Sequence, residues 1–133
     1  MKVLKLTVKK QEFDMIKSGE KKEEYREINP YWFNRLVFQS KEVFKYITGY
    51  DWDDGLYLVE GVDRICYNQS DMITFNQFED VQFFNGAYFS EKLPNLKVKC
   101  EGIHIGRGKC EWGAVLGRDY FVIKLGKPKL NNL

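Results

Sequence analysis

The sequence predicts one α+β domain in which a small, mixed, barrel-like sheet is accompanied by two to four short helices. Five to seven apolar segments with strand-like patterning are spaced unevenly along the 133 residues, a length that suits one domain with a real core. Aromatic residues, which favour strands, make up 16% of the chain. Glycine lies where the alternation of apolar and polar residues along a strand changes phase, so we expect bulges and a strongly curved sheet.

The first elements are a strand and a short helix. Residues 3–9 alternate between apolar and polar side chains, which predicts a strand. Residues 10–18 predict a helix, because Phe13 and Ile16 lie three apart and share a face. Gly19 follows as a natural left-handed stop, so the chain is expected to reverse there.

A second strand, residues 21–28, carries the densest group of charges in the chain. Side chains alternate across a strand, so Lys22, Glu24 and Arg26 share one face. Lys21 is out of phase with them. It joins Glu24 and Arg26 only if it belongs to the preceding turn, or if a bulge redirects it.

Two more helices are predicted before residue 50. Asn29 followed by Pro30 is a strong helix start, since asparagine caps and proline suits the first helical position. Ser40 is expected to cap the next helix, which Gly49 ends. The apolar residues expected to face inward from the first of these helices are Trp32, Phe33 and Leu36.

Residues 41–80 are the least regular part of the sequence, and we interpret them as an elaboration on the core. An acidic segment, residues 50–55, predicts a hairpin turn, and residues 56–62 and 64–67 predict strands or irregular structure. The acidic segment partly matches a calcium loop. Its twelfth position is Val62 rather than a carboxylate, so no metal site is predicted.

The last third of the chain predicts three strands, residues 81–84, 96–105 and 120–125. Asn85-Gly86 is a tight-turn signal. The phase of the second of these strands slips at Glu101-Gly102, which predicts a bulge. The last strand is apolar at nearly every position, so we expect it to be buried on both faces. The domain is expected to cover residues 1–127, with a polar tail over 128–133.

Composition excludes several classes of function. The net charge of +2 is too small to indicate nucleic acid by itself, so any such site must be a local cleft or patch. The three cysteines are an odd number with no close spacing, and the first residues do not resemble a signal peptide. Both observations predict a cytoplasmic protein. No apolar run approaches membrane-spanning length. With one histidine, His104, a serine triad or a zinc site is disfavoured, and no cofactor is predicted.

The pattern Gly19-x-Lys21-x-x-Glu24-x-Arg26, placed directly after a strand and a short helix, resembles the signature of the ASCH domain. That family belongs to the PUA-like β-barrel superfamily. The segment beginning at Asn29-Pro30, and the closing strands with Glu111-Trp112-Gly113 between them, also resemble small microbial and phage members. The resemblance covers the first quarter and the last third of the chain, and leaves residues 41–80 unplaced.

The resemblance implies a PUA-like barrel with a cleft lined by the motif, and RNA, a nucleoside or a nucleotide as the ligand. Some small members of the family are amidohydrolases of acylated cytidines, and ribonuclease activity is also described. The amidohydrolases have threonine at the position of Glu24, and the second carboxylate they use has no clear counterpart. Glu79, Glu101 and Glu111 are candidates for that role.

The chemistry of the motif suits a nucleotide. The planar fork of Arg26 matches a phosphate or a base edge, Glu24 accepts from an exocyclic amine, and Lys21 holds a phosphate or acts as a base or nucleophile. Tyr31 offers a stacking surface. The predicted ligand-binding residues are Lys21, Glu24, Arg26, Tyr31, Arg35 and Arg107, and Lys21 and Glu24 are the catalytic pair if the protein is an enzyme.

Three alternatives remain open at the level of sequence. Glu24 and Arg26 also fit an ordinary ion pair on the surface of a strand, which contributes little to stability. Trp112 suits a plug at the end of the barrel as well as a ligand contact. Exposed aromatic residues in the region 41–80 would suit a protein-interaction module instead of a nucleotide site.

Overall fold

Five strands and four α-helices make up residues 2–129, the part of the chain that the computed structural model describes. The strands are β1 (Lys2–Val8), β2 (Glu23–Arg26), β3 (Phe78–Asn85), β4 (Asn95–Arg107) and β5 (Asp119–Pro128). The helices are α1 (Lys10–Lys17), α2 (Pro30–Leu36), α3 (Ser40–Thr48) and α4 (Leu58–Asn68). The predicted α+β class is confirmed. Within these residues, none of the helices has the length and apolar character needed to cross a membrane.

The five strands form one curled, mixed sheet in the order β1-β3-β4-β5-β2. β1 and β3 are parallel, and the other neighbours are antiparallel. β1 and β2 are the two edges of this half-barrel. Arg26 links them, because its Nη2 donates to the carbonyl oxygen of Thr7 at 3.1 Å. A side chain therefore joins the two edges where a closed barrel would have a ladder of backbone bonds.

β5 is buried on both faces, as its continuous apolar run predicts. Phe121 and Ile123 belong to the main core, which also receives apolar side chains from β1, β3 and all four helices. Tyr120 and Val122 point the other way and form a small second cluster with Ala114. The loop between β4 and β5 thus covers the outer face of the last strand.

The bulge predicted in β4 is confirmed. The pairing of β4 with β5 shifts register between Cys100 and Gly102, and Gly102 has a φ of +124°. Only glycine adopts that backbone conformation easily, which explains the residue at this position. The bulge lets one long strand pair with β3 in its first half and with β5 in its second half.

The prediction of strands or irregular structure for residues 56–67 is wrong, because this segment forms α4. Val62, Ile65 and Cys66 are buried at helical spacing against the core. β-branched residues favour a strand and a central glycine disfavours a helix, and tertiary packing overrides both preferences. Gly61 faces the ring of Phe44 on α3, where a Cβ atom would lie 2.6 Å from that ring.

Three smaller expectations also need correction. Residues 50–55 do not form a hairpin: Trp52–Asp54 is a 3-10 turn that connects α3 to α4. Asn85-Gly86 begins a long loop rather than a two-residue turn, since β4 starts only at Asn95. β5 continues through Pro128, so the polar tail begins later than expected. Residues 130–133 of that tail lie outside the described part.

Ser40 was expected to cap α3, and it does not. Gln39 precedes the helix in a left-handed conformation, with a φ of 50° and no side-chain capping bond. The Ser40 hydroxyl instead donates to Asn34 Oδ1 on α2 at 2.5 Å. It therefore helps to join α2 to α3 rather than to start a helix.

Candidate functional site

Lys21, Glu24 and Arg26 form a contiguous cluster of three charges. Lys21 Nζ lies 2.7 Å from Glu24 Oε1, and Arg26 Nη2 lies 2.6 Å from Glu24 Oε2. The side chains of Lys21 and Glu24 are only 2% and 5% exposed, and that of Arg26 is 18% exposed. One carboxylate thus holds two cations, and the alternative of an exposed surface pair is excluded.

The turn after α1 brings Lys21 into this cluster. Gly19 has a φ of +84°, and the backbone N–H of Lys21 donates to the carbonyl of Met15 at 3.0 Å. β2 begins only at Glu23, so Lys21 is free of the strand's alternation. Lys22 is exposed. The sequence allowed Lys21 to reach Glu24 either from the turn before β2 or through a bulge in the strand, and in the structure it does so from the turn.

The pairing of β2 with β5 explains why Glu24 and Arg26 point inward. Glu24 lies opposite Ile123, and Arg26 lies opposite Phe121. Residues directly opposite in an antiparallel pair share a face. Both β5 residues belong to the main core, so the two charged side chains project from the edge of the sheet toward the interior.

The cluster lies in the wall of a cleft of about 730 Å³. The cleft is bounded by the end of β1 and the start of α1, by β2, by the loop after β3, and by the turn before Gly113. Four cationic side chains, those of Lys9, Lys10, Lys21 and Arg26, line it against two carboxylates. The lining therefore has an excess of cations, and we call it the cationic cleft. Lys10 also pairs with Asp14, just outside the lining.

Tyr25 and Trp112 give the cleft an aromatic wall. The Tyr25 hydroxyl donates to Glu23 Oε1 at 2.7 Å and accepts from the backbone N–H of Lys109 at 2.9 Å. Burial raises the pKa of this phenol above its ordinary value. Gly108 packs so closely that a Cβ there would lie 2.7 Å from the Tyr25 ring. The wall is thus fixed in place by packing and hydrogen bonds.

Tyr31 and Arg35 lie beside the cleft rather than in its lining. Trp32 separates them from it: the guanidinium of Arg26 lies 5.0 Å from the Trp32 ring, and that of Arg35 lies 5.2 Å from it. Arg35 also lies 5.9 Å from the Tyr31 ring. These four side chains form a chain of contacts that leads from the cleft to the surface of α2.

Arg107 is not brought to the cleft. It is the last residue of β4 and not part of a glycine-rich loop. Its Nε donates to Asp119 Oδ1 at 3.0 Å, and the Arg107 side chain is 66% exposed. The ordinary role of a surface pair accounts for these contacts. The three later carboxylates considered as catalytic partners, Glu79, Glu101 and Glu111, do not line the cleft either.

Sequence reasoning missed the residues that form the opposite side of the cleft. Lys9, Lys10 and Glu12 come from the start of α1, and Asn85 comes from the end of β3. β1 and β3 are parallel, and Val8 pairs with Asn85, so the carboxyl ends of both strands meet here. The sequence does contain one signal for this part of the cleft, the polar pair Asn85-Gly86 directly after a buried strand. It does not show that this strand pairs in parallel with β1, because the local pattern of residues says nothing about strand partners.

A second groove of about 510 Å³ lies between residues 73–78 and the bulge of β4. It contains none of the predicted ligand-binding residues, and Glu101 is the one candidate carboxylate among the residues that line it. Within residues 2–129, no group of three or more potential ligand side chains is placed to hold a metal ion. Asp51 and Asp53, from the acidic segment that partly matches a calcium loop, instead face Lys45 and Lys41.

Comparisons of the chain with protein-family models, with curated proteins and with solved structures gave no match. The kinship with ASCH domains therefore stays a prediction from the motif. Function has to be inferred from the cleft and from that resemblance.

Proposed function

We propose that this chain binds a nucleotide unit in the cationic cleft, either within RNA or as a modified nucleoside or nucleotide. The observation that carries the proposal is the buried cluster of Lys21, Glu24 and Arg26 in a cleft walled by Tyr25 and Trp112. Cations suit phosphate, the aromatic wall suits a base, and a carboxylate suits an exocyclic amine.

The start of α1 supports a phosphate at one end of the cleft. α1 begins at Lys10, and the preceding residue, Lys9, makes no side-chain capping bond to the first turn. Backbone N–H groups at a helix start and the helix dipole both favour an anion. Lys9 adds a side-chain cation at the same place, and Lys10 lies beside it in an ion pair with Asp14. A nucleotide would thus lie with its base toward Tyr25 and Trp112 and a phosphate toward α1.

Isothermal titration calorimetry with the four ribonucleoside 5′-monophosphates and with a short single-stranded RNA tests the proposal. We expect saturable binding of at least one of them, weakened by Lys9→Gln and by Trp112→Ala. Binding through phosphate should also fall steeply as salt rises, because cations that neutralise phosphates release counterions. A chain that binds none of these ligands, or binds them equally well in both variants, would overturn the proposal.

A second candidate function is hydrolysis of an N-acyl group on a pyrimidine nucleoside. It is favoured by the direct contact of an amine and a carboxylate, Lys21 and Glu24, in the cleft, with Glu12 as a second carboxylate in the lining. The oxygen of water would bond to the acyl carbon as the C–N bond breaks. The exocyclic amine would gain a proton, and the products would be the nucleoside and a carboxylic acid.

Incubation with N4-acetylcytidine, followed by chromatography, tests this second candidate. The expected products are cytidine and acetate, formed by the natural sequence and by Lys22→Met but not by Lys21→Met. Absence of cytidine, or equal formation with Lys21→Met, would reject hydrolysis and leave the binding proposal intact.

A further inference from the structure

The outer face of α2 carries a second recognition surface next to the cleft. Tyr31 and Arg35 lie four residues apart and therefore share a face of the helix. Tyr31 is 61% exposed, and its ring meets that of Trp32 edge-on at 4.9 Å. An exposed aromatic ring beside a guanidinium offers both a stacking surface and a phosphate ligand.

This surface and the cleft are held at a fixed distance. The guanidinium carbons of Arg26 and Arg35 lie 5.0 and 5.2 Å from the centre of the Trp32 ring, so they are within about 10 Å of each other. Both arginines also bind the free edge of β1. Arg26 donates to the carbonyl of Thr7, and Arg35 donates to that of Lys5 at 3.2 Å.

The spacing along β1 matches a chain of nucleotides. Two carbonyls on the same edge, two residues apart, are separated by about 7 Å. That is close to the separation of successive phosphates in an extended single strand. Lys9 adds a cation at the other end of β1. Lys10 and Arg26, which lie along the same edge, are paired with Asp14 and Glu24. Cationic side chains therefore follow this strand edge from α2 past the cleft to α1, with Arg35 and Lys9 at its two ends.

Arg35 has donors to spare for this role. Arg26, Arg107 and Arg118 each have a carboxylate within 4.0 Å. Within residues 2–129, the hydrogen bond of Arg35 goes to a backbone carbonyl instead, so its charge is not neutralised. A half-buried guanidinium without a carboxylate partner, next to an exposed tyrosine, suits contact with a nucleic-acid backbone.

We infer, building on the proposed function, that the ligand is a single-stranded nucleic acid with at least two successive unpaired nucleotides. One base enters the cleft, the neighbouring base stacks on Tyr31, and Arg35 binds the phosphate between them. Stacking of unpaired bases on aromatic side chains is the usual way in which single strands are held. A free nucleoside would leave the α2 surface without a role.

Titrations of 5′-CMP, the dinucleotide CpC, its deoxy counterpart and the hexamer C6, all carrying a 5′-phosphate, test this inference. The dinucleotide should bind about tenfold more tightly than the mononucleotide, because a second base is stacked. Tyr31→Ala and Arg35→Gln should remove that gain, so that each variant binds CpC no more tightly than it binds 5′-CMP. Tyr46→Ala is the matched control, since Tyr46 is 82% exposed on the next helix and makes no contact with the cleft.

The outcomes separate this inference from the proposed function. Equal affinity for 5′-CMP and CpC, or an undiminished gain in Tyr31→Ala, would overturn the two-nucleotide inference while the cleft remains a nucleotide site. Absence of binding of all four cytosine ligands would overturn the two-nucleotide inference, and the proposed function would fall with it if none of the four ribonucleoside 5′-monophosphates binds either. A preference for CpC over its deoxy counterpart would support the inference and identify the strand as RNA.

Discussion

Lys21 and Glu24 form a buried ion pair of 2.7 Å, although they are three residues apart at the boundary between a turn and an edge strand. Glycine makes this contact possible, because Gly19 ends α1 and turns the chain so that Lys21 points inward. Arg26 then binds the other carboxylate oxygen and the free edge of β1. The same cluster therefore closes the gap between the sheet edges and forms the charged part of the cleft.

Glu24→Gln is expected to destabilise the fold by about 3–5 kcal/mol, because it leaves the ammonium of Lys21 buried without a carboxylate. Urea unfolding followed by tryptophan fluorescence measures the change. Glu20→Gln is the matched control, since Glu20 is exposed in the same turn, and it should change the free energy of unfolding by less than about 0.5 kcal/mol. Equal stabilities of the two variants would show that the cluster does not support the fold.

Lys21→Met and Lys22→Met should differ sharply, although the two lysines are adjacent. Lys21 is buried against Glu24, whereas Lys22 is exposed. We expect Lys21→Met to cost about 2–4 kcal/mol, less than the loss of Glu24, because Arg26 still neutralises the carboxylate. Thermal and urea unfolding of the two variants measure the change in the free energy of unfolding. A larger decrease in Lys22→Met than in Lys21→Met would mean that Lys22, not Lys21, is the cation in the cluster.

Gly61→Ala should destabilise the protein even though alanine normally favours a helix. The new Cβ would lie 2.6 Å from the buried ring of Phe44, and overpacking of this kind costs about 1–3 kcal/mol. Combining it with Phe44→Leu should recover part of the loss, because the smaller side chain makes room. Additive effects in this double-mutant cycle would argue against the close packing of α3 on α4.

The elements before residue 50 were predictable because their signals are local. Asn29 and Pro30 start α2, Gly49 ends α3, and strand alternation places Glu24 and Arg26 on one face. α4 was not predicted, because its β-branched residues favour a strand and Gly61 disfavours a helix. The reason for glycine at position 61 is the close packing against the Phe44 ring, which a local pattern does not contain. Its buried residues lie at helical spacing, and that period was the signal available in the sequence.

The site was only partly predictable for a similar reason. The motif predicted the cluster, because Lys21, Glu24 and Arg26 lie close together in the sequence and form one recognisable pattern. Lys9 and Asn85 join the cleft only through the parallel pairing of β1 with β3, which spans more than seventy residues of sequence. Arg107 shows the opposite error, since a basic residue near glycines was expected at the cleft and pairs with Asp119 instead.

The cysteines should react in the order of their exposure. Burial raises the pKa of Cys66 to about 12, so its reactive thiolate is scarce, whereas Cys110 is exposed. Iodoacetamide at pH 8 should label Cys110 first and spare Cys66 in the folded protein, as peptide mass spectrometry would reveal. Early labelling of Cys66 would contradict its place in the core.

The same shift predicts how stability depends on pH. The pKa of Cys66 is higher in the folded chain than in the unfolded one, so its contribution is complete below the unfolded value. It is lost as pH rises from about 9 toward about 12. The raised pKa of Tyr25 acts in the same direction. Cys66→Ala should therefore flatten the alkaline decline in the free energy of unfolding, and an unchanged decline would exclude this cause.

The central claim is that the cleft beside Lys21, Glu24 and Arg26 binds a nucleotide, and an NMR titration of the ¹⁵N-labelled protein with the four ribonucleoside 5′-monophosphates, each added separately, tests it most directly. We predict saturable shifts, for at least one nucleotide, in the backbone amides that surround the cleft, namely those of Thr7, Lys9, Glu24, Arg26, Gly86 and Trp112. Shifts confined to the groove beside residues 73–78, or no saturable shift with any of the four, would contradict it.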